Sequence, residues 1–114
     1  MTDCIFCRIA RHEIPANVVR EDDDCIAIRD LQPRAPVHVL VIPKRHVASV
    51  TELDESDETL AGHLLVVARE VARADGVAES GYRLVLNAGP DAGQSVDHLH
   101  LHVLGGREFG WPPG

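Results

Sequence analysis

The sequence predicts an α+β domain: a five-stranded antiparallel sheet with one short and one long helix. Three observations carry that expectation. Apolar residues recur at helical spacing over one long stretch, 54–74, with Leu60, Leu64, Val67 and Val71 on a single stripe. Short runs rich in β-branched residues, bounded by Asp, Pro and Gly, fill much of the remainder. The last run, 98–104, alternates His98, His100 and His102 with Leu99, Leu101 and Val103, which is the period of a strand with one buried face.

Taken in order, Ile5, Phe6 and Ile9 have the spacing of one or two helical turns, ended before Pro15. Residues 18–21 and 25–29 flank Asp22, Asp23 and Asp24 and read as a β-hairpin with a polar turn. Pro33 and Pro36 make 30–36 a loop, because proline withholds the amide a helix needs. Residues 37–42 read as a central strand carrying His38 and stopped by Pro43. The long helix starts at Asp54 as N-cap and ends before Gly76. Residues 82–87 and 98–104 supply two more strands, joined by the glycine-containing loop 88–95.

At 114 residues the chain is one domain, 1–114, large enough to bury a core of its own. A net charge of −7 repels a phosphate backbone and argues against nonspecific nucleic-acid binding, while a small anion can still bind a locally positive pocket. No long apolar run or cleavable signal opens the sequence, so a soluble, cytoplasmic protein without membrane attachment is the expectation. Three cysteines form no even disulfide framework, and Cys25, within an apolar stretch, reads as a buried small hydrophobe.

Chemistry concentrates at the histidines. Imidazole titrates near neutrality, attacks as a nucleophile, donates hydrogen bonds and ligates metals. Three on one strand face form a reactive row, a three-histidine metal site, or a solvated edge, and spacing alone leaves these open. Cys4 and Cys7 have the two-residue separation that lets two thiolates share one tetrahedral Zn²⁺; a redox pair is the rival, disfavoured because no strand precedes them.

The histidine strand, with Gly93-Gln94-Ser95-Val96 before it and Gly105-Gly106-Arg107 and Trp111-Pro112-Pro113-Gly114 after it, resembles the histidine triad (HIT) family, in its Hint, nucleotide-binding branch. The likeness extends through Ile5-Phe6-Cys7, 13–16, Asp30-Leu31 and 38–44, nearly the whole chain. It implies a nucleotide phosphoramidase that cleaves purine nucleoside 5′-phosphoramidates through a covalent nucleotidyl-histidine. Dinucleoside polyphosphate hydrolysis, or a nucleotide sensor with incidental catalysis, are the alternatives.

Carried over residue by residue, the resemblance makes His100 the nucleophile and His102 a donor to the nonbridging oxygens. His38 shuttles a proton to the leaving amine or is a structural histidine. Gly93, Gln94, Ser95 and Asn87 form the phosphate cradle, with Ser95 also a contact for the leaving nitrogen. Asp30 accepts the ribose hydroxyls, and Ile5, Phe6, Ile9, Ile14 and Leu31 either sandwich the base or pack the core. His46 and His98 match the positions that complete a structural zinc site with Cys4 and Cys7. The resemblance further implies a homodimer with a continuous sheet, the tail near Trp111 reaching toward the partner's site.

Overall fold

One antiparallel sheet sorts the apolar residues into two layers. The structure, a computed structural model, describes residues 4–114. In chain order it contains α1 (Ile5–Ala10), β1 (Val18–Glu21), β2 (Cys25–Arg29), β3 (Val37–Pro43), α2 (Glu58–Ala74), β4 (Tyr82–Val85) and β5 (Leu101–Gly105). The spatial order is β1-β2-β3-β5-β4, so the two central strands, β3 and β5, are those that carry histidines.

Strand alternation decides what each layer holds. Val39, Val41, Leu101 and Val103 face the stripe Leu64, Val67, Ala68, Val71 and Ala72 of α2, with Cys25 and Ala27 in the same buried cluster. Ile26, Ile28, Leu40 and Ile42 point to the opposite side and meet Phe6, Ile9 and Ala10 of α1. His38 and His102, each one residue from an α2-facing valine, therefore stand on the α1 side. Burial pushes the Cys25 thiol up to about 12, aided by the charges of Asp22 and Asp24, as suits an inert core residue.

The long helix is entered through a 3₁₀ turn, Glu55–Asp57, that the sequence pattern did not distinguish from α-helix. Asp54 accepts from the Ser56 amide and Asp57 returns a carboxylate to the Asp54 amide, a reciprocal cap. Two further 3₁₀ turns are present: Val50–Glu52, in a stretch to which the sequence assigned no element, and Pro90–Ala92, within the expected loop 88–95.

The expected strand 98–104 is shortened to Leu101–Gly105. In the β3–β5 register Val41 opposes Leu101, so residue 99 falls opposite Pro43, which has no N–H to continue the ladder. The Leu99 amide turns instead to the Val47 carbonyl at 2.7 Å. The expected strand 82–87 likewise ends at Val85, whose partner is His102; by the same register residue 87 would face His100, which lies outside β5.

At the far end of β5, a Cβ on Gly105 would lie 2.9 Å from Val77, and Gly106 adopts φ +88°. The first glycine lets the 77–81 turn lie directly on the strand; the second lets the chain turn away.

Candidate active site

The three alternating histidines do not converge on one ion, because each is turned by a different hydrogen bond. His98 is fully buried, and its Nε2 donates to the Pro43 carbonyl at 2.8 Å. Its Nδ1 is left as a lone pair, 3.4 Å from Cys4 Sγ, 3.5 Å from Cys7 Sγ and 3.1 Å from His46 Nδ1. Cys7 Sγ lies 3.3 Å from His46 Nδ1. A tetrahedral Zn²⁺ at ordinary bond lengths separates its nitrogen ligands by about 3.3 Å and a nitrogen and sulfur pair by about 3.5 Å. These four donors have that spacing, and the Pro43 contact supplies the outer hydrogen bond that orients a ligating imidazole. Burial keeps His98 neutral, as a ligand must be. Burial also holds the Cys7 thiol above its ordinary value, with the Cys4 thiol adding to the rise, so a thiolate there needs a cation beside it.

His100 takes the opposite ring orientation. Its Nδ1–H donates to the backbone carbonyl of His98 at 2.7 Å, which leaves Nε2 as the free lone pair. Phe6 meets this ring edge-on at 5.1 Å and His98 in the same manner at 5.9 Å, so α1 braces both imidazoles.

The third histidine is set by a chain of donors. The Arg34 amide donates to His38 Nδ1 at 3.0 Å, which puts the His38 hydrogen on Nε2. That Nε2 donates to His102 Nδ1 at 2.9 Å, and the His102 hydrogen is thereby forced onto its own Nε2. The latter atom is buried without a protein partner. Asp30 Oδ2 stands 3.4 Å from His38 Nε2. Burial lowers His102 to about 4, with His100 and His38 adding to the shift and Asp30 opposing it. Burial lowers His38 as well, again against Asp30.

A cleft of about 480 Å³ opens over this pair, with Asp30, His38 and His102 on one side and Asn87, Gly93 and Ser95 on the other. Gly93 (φ +78°) turns the loop that presents Ser95. Gln94, expected in the cradle, is instead spent on the loop. Its Oε1 accepts from Gly89 N, and its Nε2 donates to the carbonyls of Ala48 and Val96. The expected base wall is split: Phe6, Ile9 and Ile14 belong to the α1 core layer, Ile5 is 49% exposed, and Leu31, outside that layer, is 93% exposed.

The link between Asp30 and His38 and the role of the Arg34 amide were not legible in the sequence. A backbone donor has no residue signature, and Arg34 drew no attention. Other histidines hold the surface, His12 on Glu21 and His63 on Asp22, while Lys44 and Arg45 pair with Glu21 and Asp57 as strand-end charge.

The HIT domain family model matches residues 11–109. An uncharacterized HIT-like protein of Synechococcus elongatus is 53% identical over 98% of this chain and 97% of its own length. The crystal structure of a HIT family hydrolase from Legionella pneumophila superposes with a TM-score of 0.97 at 49% identity, covering 98% of this chain and 100% of that one. A hypothetical histidine triad nucleotide-binding protein from Sulfolobus tokodaii gives 0.76 at 38% identity, over 90% and 68% of the two chains.

Proposed function

This chain belongs to the HIT domain family, and on that premise we propose that it is a hydrolase of nucleoside 5′-phosphoramidates, purine ones preferred, that works through a nucleotidyl group carried on His100. One observation carries the reading: neighbouring rings hold opposite tautomers, a lone pair at Nε2 of His100 and a hydrogen at Nε2 of His102. The rings are 5.0 Å apart, so a nucleophile and a donor address one phosphoryl group. The likeness to a HIT family hydrolase from Legionella and to a hypothetical histidine triad nucleotide-binding protein from Sulfolobus supports it further.

In the first step the His100 Nε2 lone pair attacks the α-phosphorus. A bond from ring nitrogen to phosphorus forms, and the substrate P–N bond breaks with its electron pair going to the departing nitrogen. That nitrogen needs a proton to leave as an amine. Burial keeps His38 and His102 neutral by themselves, but a phosphate anion against Nε2 favours the charged form. The pair thus takes up one proton with the substrate, on His38 Nδ1 as that atom releases the Arg34 amide; His102 Nε2–H then passes to the amine while the His38 Nε2 hydrogen moves to His102 Nδ1, which leaves both rings neutral. In the second step water attacks phosphorus, its proton returns to the pair, and His100 departs with its electrons restored to Nε2. Ser95 and the Asn87 amide donate to the nonbridging oxygens, and Asp30 takes a ribose hydroxyl.

The same reading gives Cys4, Cys7, His46 and His98 a structural Zn²⁺, which when bound ties α1 to the segment before β5. It also gives a homodimer joined at the free edge of β4, for which exposed Leu84, Leu86 and Trp111 (84% exposed) speak. No helix among the described residues is long and apolar enough to cross a membrane.

The test is a rapidly quenched reaction with adenosine 5′-phosphoramidate, read by intact mass. A covalent adenylyl adduct that His100→Gln lacks, with turnover lost and nucleotide binding retained in that variant, is expected. Unchanged turnover in His100→Gln overturns the reading.

A further inference from the structure

Charge pairing singles out a strip beside the cleft. Seven of the eleven Lys and Arg side chains pair with carboxylates. Among the described residues Arg20, Arg34, Arg83 and Arg107 do not. In a chain of net charge −7 partners are plentiful, yet three of these four border the active site or the space next to it. Arg34 lines the phosphate-side cleft. Arg83 and Arg107 line a second and larger one, about 920 Å³, together with Phe109.

Both guanidinium groups are held in position. Arg83 Cζ lies 5.1 Å and Arg107 Cζ 4.2 Å from the Phe109 ring centre. Arg83 Nη2 donates to the Gly110 carbonyl, while Arg107 uses Nε on the Arg34 carbonyl and Nη1 on that of Glu108. Each guanidinium has five N–H donors, so most of them stay available. Glu108 borders the cleft but forms an ion pair with neither arginine.

The two clefts are consecutive on one sheet face. Val85 opposes His102 and Arg83 opposes Leu104, and opposed residues of antiparallel strands share a face. Arg83 is thus the diagonal neighbour of His102, roughly 7 to 8 Å away between Cα atoms. Val85 and Leu104 line the first cleft, and Arg83 and Gly106 the second. A group two or three bonds beyond the leaving nitrogen, passing along this face from His102, meets a guanidinium.

We propose that the Arg83, Arg107 and Phe109 cleft is a subsite for an anionic group, a carboxylate or a phosphate, carried on the leaving part of the substrate. The inference rests on the phosphoramidate reading and names its substrate class: amines that bear an acidic substituent. Arg107 also holds the carbonyl of Arg34, the residue whose own amide sets His38, so the subsite and the proton-donating pair share one supporting residue.

Two pairs of adenosine 5′-phosphoramidates test it: phenylalanine against phenethylamine for the carboxylate, and O-phosphoethanolamine against ethanolamine for the phosphate. The wild-type protein is expected to show kcat/KM about tenfold higher for the acidic member of one pair, as a charge-assisted hydrogen bond gives, and the responding pair identifies the anion. The ratio falls to about one in Arg83→Gln and Arg107→Gln, is partly kept in Arg83→Lys, and declines in the wild type as salt is added. The salt series decides if a variant fails to fold. Neutral members turned over as well as acidic ones, or a ratio that survives both Gln changes, overturns the subsite and leaves the hydrolase reading standing. No turnover of any of the four overturns the hydrolase reading and the subsite with it.

Discussion

The Nδ1–H of His100 donates to the backbone carbonyl of His98 at 2.7 Å, two residues away along the chain. The residue that orients the proposed nucleophile is therefore the one whose own ring is fixed among Cys4, Cys7 and His46. Whatever loosens that four-residue cluster turns the His100 ring.

Metal removal follows directly. Purified protein is expected to carry one Zn²⁺ per chain by elemental analysis. A Cys4→Ser, Cys7→Ser double variant, or chelation, lowers Tm by at least roughly 4 to 8 °C, the scale of about 1 kcal/mol in a small domain, and lowers kcat with it. Substoichiometric metal that added zinc does not raise, or a Tm indifferent to chelator, contradicts the assignment.

Acid should destabilise the fold through His102. Its native value of about 4 lies below the ordinary 6.5, so between those values the unfolded chain binds more protons than the native one. Stability therefore rises with pH across that window and is lost as pH falls through it. His38, lowered in the same direction, adds to the slope. Thermal melts from pH 4 to 7 are expected to show a shallower dependence in His102→Gln than in the wild type; identical slopes would contradict the depressed value.

Gln94→Ala distinguishes holding the loop from holding phosphate. Three hydrogen bonds to Gly89, Ala48 and Val96 disappear, two of which leave carbonyls without their donor, at a cost of about 1 to 3 kcal/mol. Tm drops and KM rises as the loop bearing Ser95 loosens. A variant with unchanged Tm and a selective loss of kcat would return Gln94 to the phosphate.

Gly105→Ala puts a methyl 2.9 Å from Val77 and should cost about 1 to 3 kcal/mol by overpacking. Combined with Val77→Ala, it should destabilise less than the two single changes added together, a coupling that denaturant melts measure. Strict additivity would mean that the 77–81 turn shifts freely.

Where periodic burial decides the structure, the sequence was a good guide. The stripe of α2, the alternation of Leu99, Leu101 and Val103, and the hairpin around Asp22–Asp24 all appear where the pattern required them. The early end of the ladder at His98–His100 depended on register against Pro43, a pairing between residues far apart in the chain. For Phe6 and Ile9, apolar character fits core and ligand wall alike, and the packing of α1 put them in the core layer. The tautomer chain from Arg34 through His38 to His102 begins at a backbone amide, which every residue but proline possesses.

Cys25 has one practical consequence. A thiol so reluctant to ionise, sealed beneath α2, is deaf to alkylating reagents while the fold persists. Any label the native protein accepts then reports on the amino-terminal pair alone, and a simple thiol count becomes a gauge of how many molecules hold the proposed Zn²⁺.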